Sequence, residues 1–371
     1  MALFSDDGPT SGEPEMRAER RRSAGWFLLI AAMLVVGLFA IIPAPYVIEQ
    51  PGPVYNTLGS AENADGDEIP LIEVADADMH PDDGELNLLT VSVVGRPGQT
   101  PNWFELGLAW LDPTRTVLPI EAVYPPDVTP EDRDAQNQAA MVDSQQDAIA
   151  AALVELGYDF PREVTIAGLL EDSPAEGVLE EGDVIVAVEG EEVHDTGTLR
   201  ERVAASGAGT PVELTVERDG ERLNAEVTPV ERGGQVLLGV GVRMEYDFPI
   251  DVTIQLDDVG GPSAGMMFAL GIIDTLTPGS LTGGESWSGT GTIDSAGRVG
   301  PIGGIRQKMH GAVDAGSHWF LAPAANCDEV AGNIPDELTV VSVETLEDAL
   351  TAVETVARTG EASGLPSCPA S

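Results

Sequence analysis

The chain has 371 residues, with 63 acidic against 18 basic side chains and a formal net charge of −45, a field that repels nucleic acid and anionic lipid headgroups alike. With 43% hydrophobic residues, 42 glycines and 27 prolines, it is too apolar to be disordered and too punctuated to be fibrous, and its length suggests two to three globular domains. The cysteines are Cys327 and Cys368, too few for a disulfide scaffold, and no CxxC, HExxH or GxxxxGK[ST] occurs, so no metal, no cofactor and no use of ATP is expected.

Residues 26–42 carry no charge and with residues 23–25 make a run of 20, about 30 Å of helix and the depth of one bilayer core. A cleavable signal has a similar layout, but a shorter apolar core and a clean A-x-A site, which is missing here. Arg17, Arg20, Arg21 and Arg22 precede the run, and the next basic residue is Arg96. The positive-inside rule therefore predicts a cytoplasmic N-terminus over 1–22, a single transmembrane helix over 23–43, and everything from about 44 onward extracellular at the cell membrane. In that compartment the two thiols can oxidise, and two readings stay open, a Cys327–Cys368 bridge tying down the C-terminal tail at 357–371 and two unrelated thiols.

Residues 44–83 read as a stalk or linker, acidic and punctuated by Gly and Pro from 59. The run at 86–94 predicts a buried strand. Residues 135–157 predict a helix on the spacing of Ala139, Val142, Ile149, Leu153 and Leu156, ending at Gly157. Trp103, Phe104 and Trp110 between them fit local core or a membrane-proximal surface better than a substrate cradle.

The next segment changes character. After EVTIAGLL, Ser173-Pro174-Ala175 signals a short helix, Gly182-Asp183 and Gly190 bracket a strand at Val184 to Val188, and a helix capped near Thr196 carries Leu199 and Val203. A hairpin turning at Asp219-Gly220 closes the unit. This order, with the phrase GVLEEGDVIVAVEGEEV, resembles a PDZ domain of the bacterial protease-associated kind, over 159–231. The resemblance implies a substrate groove between the helix of Leu199 and Val203 and a neighbouring strand, filled by an extended peptide.

Further on, Ile250, Val252, Ile254 and Leu256 alternate as in a strand. Gly260, Gly261 and Pro262 then lead into a helix that is apolar nearly all round, which sets Ser263 at the N-terminus of a buried helix, with Gly261 and Ala264 beside it as turn and oxyanion candidates. A serine hydroxyl needs a base. His80, His194, His310 and His318 are scattered and no G-x-S-x-G elbow is present. Lys308 is the only lysine of the chain, and Ile305, Met309 and Ala312 share its helical face. A lysine on such a stripe ordinarily snorkels, yet arginine would snorkel as well and cannot act as a base. The acidic field raises a lysine pKa, so only desolvation can bring it from about 10.4 towards neutrality, and the pair has to be buried.

GGPSAG around Ser263, SGTGTIDSAGRVGPIGG, and the lysine of PIGGIRQK together resemble the proteolytic domain of Lon-type Ser-Lys endopeptidases. The resemblance implies Ser263 as nucleophile, Lys308 as general base and then acid, and Thr290 as the hydroxyl orienting the lysine, while Arg306 takes a neighbouring basic position. One departure is Gly260, where many Lon enzymes have Asp; Asp257 or Asp258 are the nearby acidic residues. The strand at 86–94 and the helix at 135–157 look like the first half of a Lon proteolytic fold. That arrangement makes an α/β (α+β) protease of two parts, 84–158 and 232–356, with the PDZ domain inserted between them. The whole is similar to membrane-anchored, PDZ-containing Lon-like serine proteases of Gram-positive bacteria, without the Lon ATPase domain. It implies an ATP-independent endopeptidase acting on unfolded or membrane-proximal protein substrates and assembled as a homo-oligomeric ring, a hexamer being the expected size. The rival expectation is a catalytically silent PDZ scaffold.

Overall fold

A computed structural model describes residues 26–27, 29–62, 67–75, 83–126, 128–256 and 259–368. In chain order the principal elements are α1 (29–39), β1 (Tyr46–Asn56), β2 (Glu85–Val94), α2 (Trp103–Ala109), β3 (Thr116–Pro119), α3 (Pro130–Glu155), β4 (Arg162–Leu169) and β5 (Val184–Val188). They continue as α4 (Thr196–Ser206), β6 (Val212–Arg218), β7 (Glu221–Val227), β8 (Val240–Tyr246), α5 (Gly265–Leu276), β9 (Ser286–Gly289), α6 (Ile305–Asp314), β10 (Trp319–Pro323), β11 (Thr339–Val343) and α7 (Leu346–Thr359). The chain divides into two compact units, residues 1–50 with 93–127, and residues 51–92 with 128–371.

In the first unit the opening residues of β1 pair antiparallel with β3. A reciprocal cap starts α2: the Asn102 side chain accepts from the N–H groups of Phe104 and Glu105, and the Glu105 carboxylate accepts from the Asn102 N–H, filling donors that a helix start leaves open. Ala44, Ile48, Leu106 and Ala109 form a small core, with Tyr46, Trp103 and Val117 against it. The expected aromatic cluster is thus split, Trp103 packing on that core while Phe104 and Trp110 are exposed. Among the described residues no helix is long and apolar enough to cross a membrane. The spanning helix expected over 23–43 is therefore represented only by α1; residues 1–25, with their arginines, and residue 28 lie outside the described residues.

The second unit holds a sheet in the order β11-β10-β9-β2-β1, with β9 parallel to both β2 and β10, and β10 parallel to β11. Parallel strands covered on their faces are apolar without alternation, as Leu86, Leu88 and Leu89 show. The central helix is α5, buried along its length; it packs with α3 and α7 into one core that also takes Leu86, Leu88, Trp287 and Leu321. This core therefore draws on chain from both sides of the segment that forms the second sheet. Helix α3 begins earlier than expected, at Pro130 behind the Thr129 cap, and buries Met141, Ser144 and Ala148 to Leu153, leaving Val142 exposed. The stalk expected over 44–83 is a correction: β1 is a full strand, and Ile72–Val74 pairs with Val252–Ile254. Prolines at 51 and 53 fit the edge of pairing, and the Thr90 hydroxyl donates to the Pro53 carbonyl at 2.7 Å.

A second sheet runs β7-β6-β5-β4-β8, closed on a separate core of Val164, Ile166, Ile185, Leu199, Val203, Leu214 and Val216. The hairpin of β6 and β7 turns at Asp219 and Gly220, both at positive φ. Ser173 starts a turn and not a helix, its hydroxyl accepting from the Ala175 N–H. The sheet extends past the expected boundary at 231, because β8 pairs along the whole of β4. Cys327 and Cys368 are disulfide-bonded, with Cα atoms 4.9 Å apart.

Candidate active site

Four segments meet at Ser263. The turn before it rests on α3: the Gly261 N–H donates to the Asn137 carbonyl at 2.8 Å, and the buried Ser144 hydroxyl donates to the Pro262 carbonyl at 3.0 Å. A Cβ on Gly260 would stand 2.9 Å from the Asn137 Cβ, so glycine is what lets the turn lie this close to α3. Because the Gly261 N–H is committed to Asn137, it is not available to an oxyanion, contrary to expectation. Ala264 is the N-cap of α5, at the positive end of the helix dipole. Gly265 is equally constrained, since a Cβ there would lie 2.7 Å from the Ser144 hydroxyl and 2.9 Å from Ile293.

The third segment follows β9. Thr290 is fully buried, and its hydroxyl donates to the Ser263 carbonyl at 3.0 Å, joined there by the Gly291 N–H at 2.9 Å. Met266 in the first turn of α5 returns a bond from its N–H to the Gly291 carbonyl. The fourth segment is α6, whose N-cap Gly304 is left-handed at φ +68° and sits where a Cβ would be 2.7 Å from Val91. This entry points the apolar side of α6 inward, with Ile305, Met309 and Ala312 buried.

Lys308 lies on that side, 3% exposed. Its ammonium donates to the Ser263 hydroxyl at 2.7 Å and to the Thr290 hydroxyl at 2.8 Å. Among the described residues no carboxylate pairs with it, and burial pushes its pKa from 10.5 down to about 7. Ser263 itself is half-buried, so a reacting carbonyl can reach it. The three residues singled out from the sequence are thus brought together, and Arg306 is left outside their contacts. Asp257, Asp258 and His80 lie outside the described residues. Among the described residues no cluster suited to a metal ion occurs.

Sequence reasoning missed Ser144, Asn137 and Gly291. Ser144 did leave a signal, a hydroxyl on the buried stripe of α3 between Met141 and Ala148. Leu199 and Val203 are buried in the PDZ-like core. Their helix packs chiefly against Gln235–Leu237 and also against β5 and β8, the latter pairing with β4 at one end of the sheet.

Residues 136–228 match the PDZ domain family, and residues 231–355 match the Lon protease (S16) C-terminal proteolytic domain. Among curated proteins, Lon protease 2 of Herpetosiphon aurantiacus is 39% identical over 121 residues, covering 30% of this chain and 14% of that protein. Lon protease of Geobacter metallireducens is 33% identical over 108 residues, 28% of this chain and 13% of that protein. The chain thus spans about a seventh of the length of these relatives. Among solved structures, the PDZ domain of an SdrC-like protein from Listeria monocytogenes aligns with 21% of this chain and 85% of its own, at 18% identity and a TM-score of 0.20. The chain carries a PDZ domain and, after it, the C-terminal proteolytic domain of Lon protease, a serine peptidase domain.

Proposed function

We propose that the chain is a membrane-anchored, ATP-independent serine endopeptidase with Ser263 as nucleophile and Lys308 as base. The observation that carries this reading is a buried lysine, its pKa lowered by burial, 2.7 Å from a half-exposed serine at a helix N-terminus. A pKa near 7 leaves a large neutral fraction of Lys308 at neutral pH, able to take the Ser263 proton as the oxygen attacks a peptide carbonyl. Thr290 holds the amine towards Ser263. The developing oxyanion faces the start of α5, where the Ala264 N–H is the proposed donor. Lys308 then passes its proton to the leaving amine, and a water activated by the same amine releases the acyl-enzyme.

The substrates would be extended or unfolded protein segments, the form that strand addition to a PDZ sheet edge accepts. The PDZ domain would recruit them in the groove between α4 and the edge of β8, by strand addition. Exposed apolar side chains along α1 support an anchor, with the N-terminus cytoplasmic and the catalytic part outside the membrane. The resemblance to Lon adds a homo-oligomeric ring, a hexamer being the proposed size.

The test is cleavage of an unfolded protein such as casein without ATP, comparing wild type with Ser263→Ala and Lys308→Arg, with circular dichroism to show equal folding. Loss in both variants together with labelling of Ser263 by a serine-directed covalent probe supports the reading. A folded wild type that neither cleaves nor labels would sink it and favour a silent PDZ scaffold.

A further inference from the structure

Helix α2 has two apolar faces, and its own unit covers one of them. Leu106 and Ala109 are buried in the small core. Phe104 and Leu108, spaced i and i+4 on the helix, are 46% and 51% exposed, and Trp110 and Leu111 in the turn that ends it are 62% and 83% exposed. The one charge in the helix, Glu105, is turned back onto the Asn102 N–H as part of the cap. A contiguous exposed apolar surface of this kind marks a binding face.

What covers it follows from where the helix is tied. The Ala44 N–H donates to the Pro101 carbonyl at 2.9 Å, and Pro43 forms an antiparallel bridge with Asn102, the N-cap of α2. The uncharged run ends at Ile42. From there to Ala44 the chain reaches at most about 7 Å, and the interfacial layer in which an in-plane helix lies is about 5–10 Å deep. Wherever the apolar run leaves a bilayer, the start of α2 is held at the level of the headgroups. Its exposed residues have the chemistry of that layer, one tryptophan, one phenylalanine and two leucines. We infer that α2 is an in-plane lipid contact, its Phe104, Leu108, Trp110 and Leu111 face seated in the headgroup and upper acyl region of a zwitterionic bilayer.

This inference rests on the anchoring reading, since it needs the run at 26–42 to enter lipid, and it adds a second attachment. Two attachments on one unit leave a membrane-bound domain little freedom to swing, where a single helix would act as a swivel. With a chain charge of −45, the attraction is apolar and owes nothing to anionic lipid.

The full chain is placed in phosphatidylcholine vesicles whose acyl chains are brominated near the headgroup, and tryptophan emission is compared with that in ordinary phosphatidylcholine for wild type, Trp110→Phe and Trp26→Phe. Bromine quenches only tryptophans in contact with the chains. The expected result is a quenched fraction in wild type that falls in each variant, with a further fall in the Trp110 component on Leu108→Ser with Leu111→Ser. Quenching that is lost in Trp26→Phe and unchanged in Trp110→Phe overturns the lipid contact and leaves the anchor standing. Absence of quenching throughout overturns both. Crosslinking of position 110 to a second copy of the chain, with no quenching of Trp110, assigns the face to self-association and also overturns the proposal.

Discussion

Arg298 donates from one guanidinium to two carboxylates, Asp294 in its own loop and Asp195 at the head of the PDZ helix α4. Asp195 is the N-cap of that helix, accepting at 2.7 Å from the Thr198 N–H and at 2.6 Å from its hydroxyl. The loop at 294–298 follows Thr290 and Gly291 by a few residues, and the Leu346 N–H pins it through the Gly297 carbonyl. The wall of the proposed groove is thereby fastened to the segment that orients Lys308.

Removing Arg298 leaves a largely buried carboxylate short of its charged donor, a loss on the order of 1–3 kcal/mol. A Cβ on Gly197 would lie 1.9 Å from the Arg298 Nη2, so Gly197→Ala expels the same group. Arg298→Ala and Gly197→Ala are each expected to lower the melting temperature and casein cleavage. The double variant should be no worse than the more affected single one; thermal melts and initial rates on the four proteins check this, and simple additivity would contradict it.

Lys308 sets a pH dependence with a definite sign. Its folded pKa, about 7, lies below 10.5, so between those values the unfolded chain holds a proton that the folded chain lacks. Stability therefore rises with pH across that window, and the cost of charging the buried amine is fully felt below about 7. The cleavage rate should rise through pH 7 with the neutral fraction. Lys308→Met should lose activity and flatten the stability slope, as followed by urea midpoints at several pH values.

Asp147 on α3 runs the other way. Burial raises its pKa from 3.8 to about 6, against the lowering effect of the Tyr246 hydroxyl that donates to it. Between those values the folded chain holds the extra proton, so stability falls as pH rises from about 4 to 6. Asp147→Asn is expected to remove that slope, and Tyr246→Phe to extend it to higher pH, read from thermal melts between pH 4 and 8.

The bond between Cys327 and Cys368 closes 41 residues, which by loop entropy corresponds to about 4 kcal/mol. The tail it holds is joined to β11 through the Ser342 N–H and the Pro366 carbonyl. Cys327→Ser with Cys368→Ser should lower the melting temperature markedly, and reductant should do the same to wild type and nothing to the double variant.

Much of the second unit was legible because its signals are local. Glycine, proline and cap residues punctuate the chain where turns demand them, so the strand at Val184 to Val188, the turn at Asp219 and Gly220, and the helix behind Asp195 could be read without partners. Composition marked Lys308, since one lysine among arginines on an apolar stripe is a chemical choice. Its burial followed from the argument that only desolvation lowers such a pKa against an acidic field.

Long-range pairing leaves no such mark. Residues 44–56 read as linker because their strand is stabilised by partners far along the chain. The pairing of β8 with β4, which sets the edge of the proposed groove, joins residues some eighty positions apart, as Tyr246 opposite Arg162 shows. The dependence of the Ser263 turn on Asn137 and Ser144 is of the same kind. The sequence by itself determined which side chains could do chemistry and in which local elements they sit. Only the tertiary structure decided that Lys308 reaches Ser263 across 45 residues, that Leu199 and Val203 face a core, and that Gly261 gives its N–H to α3. Such contacts are set by packing between distant segments, and no local pattern of residues encodes them.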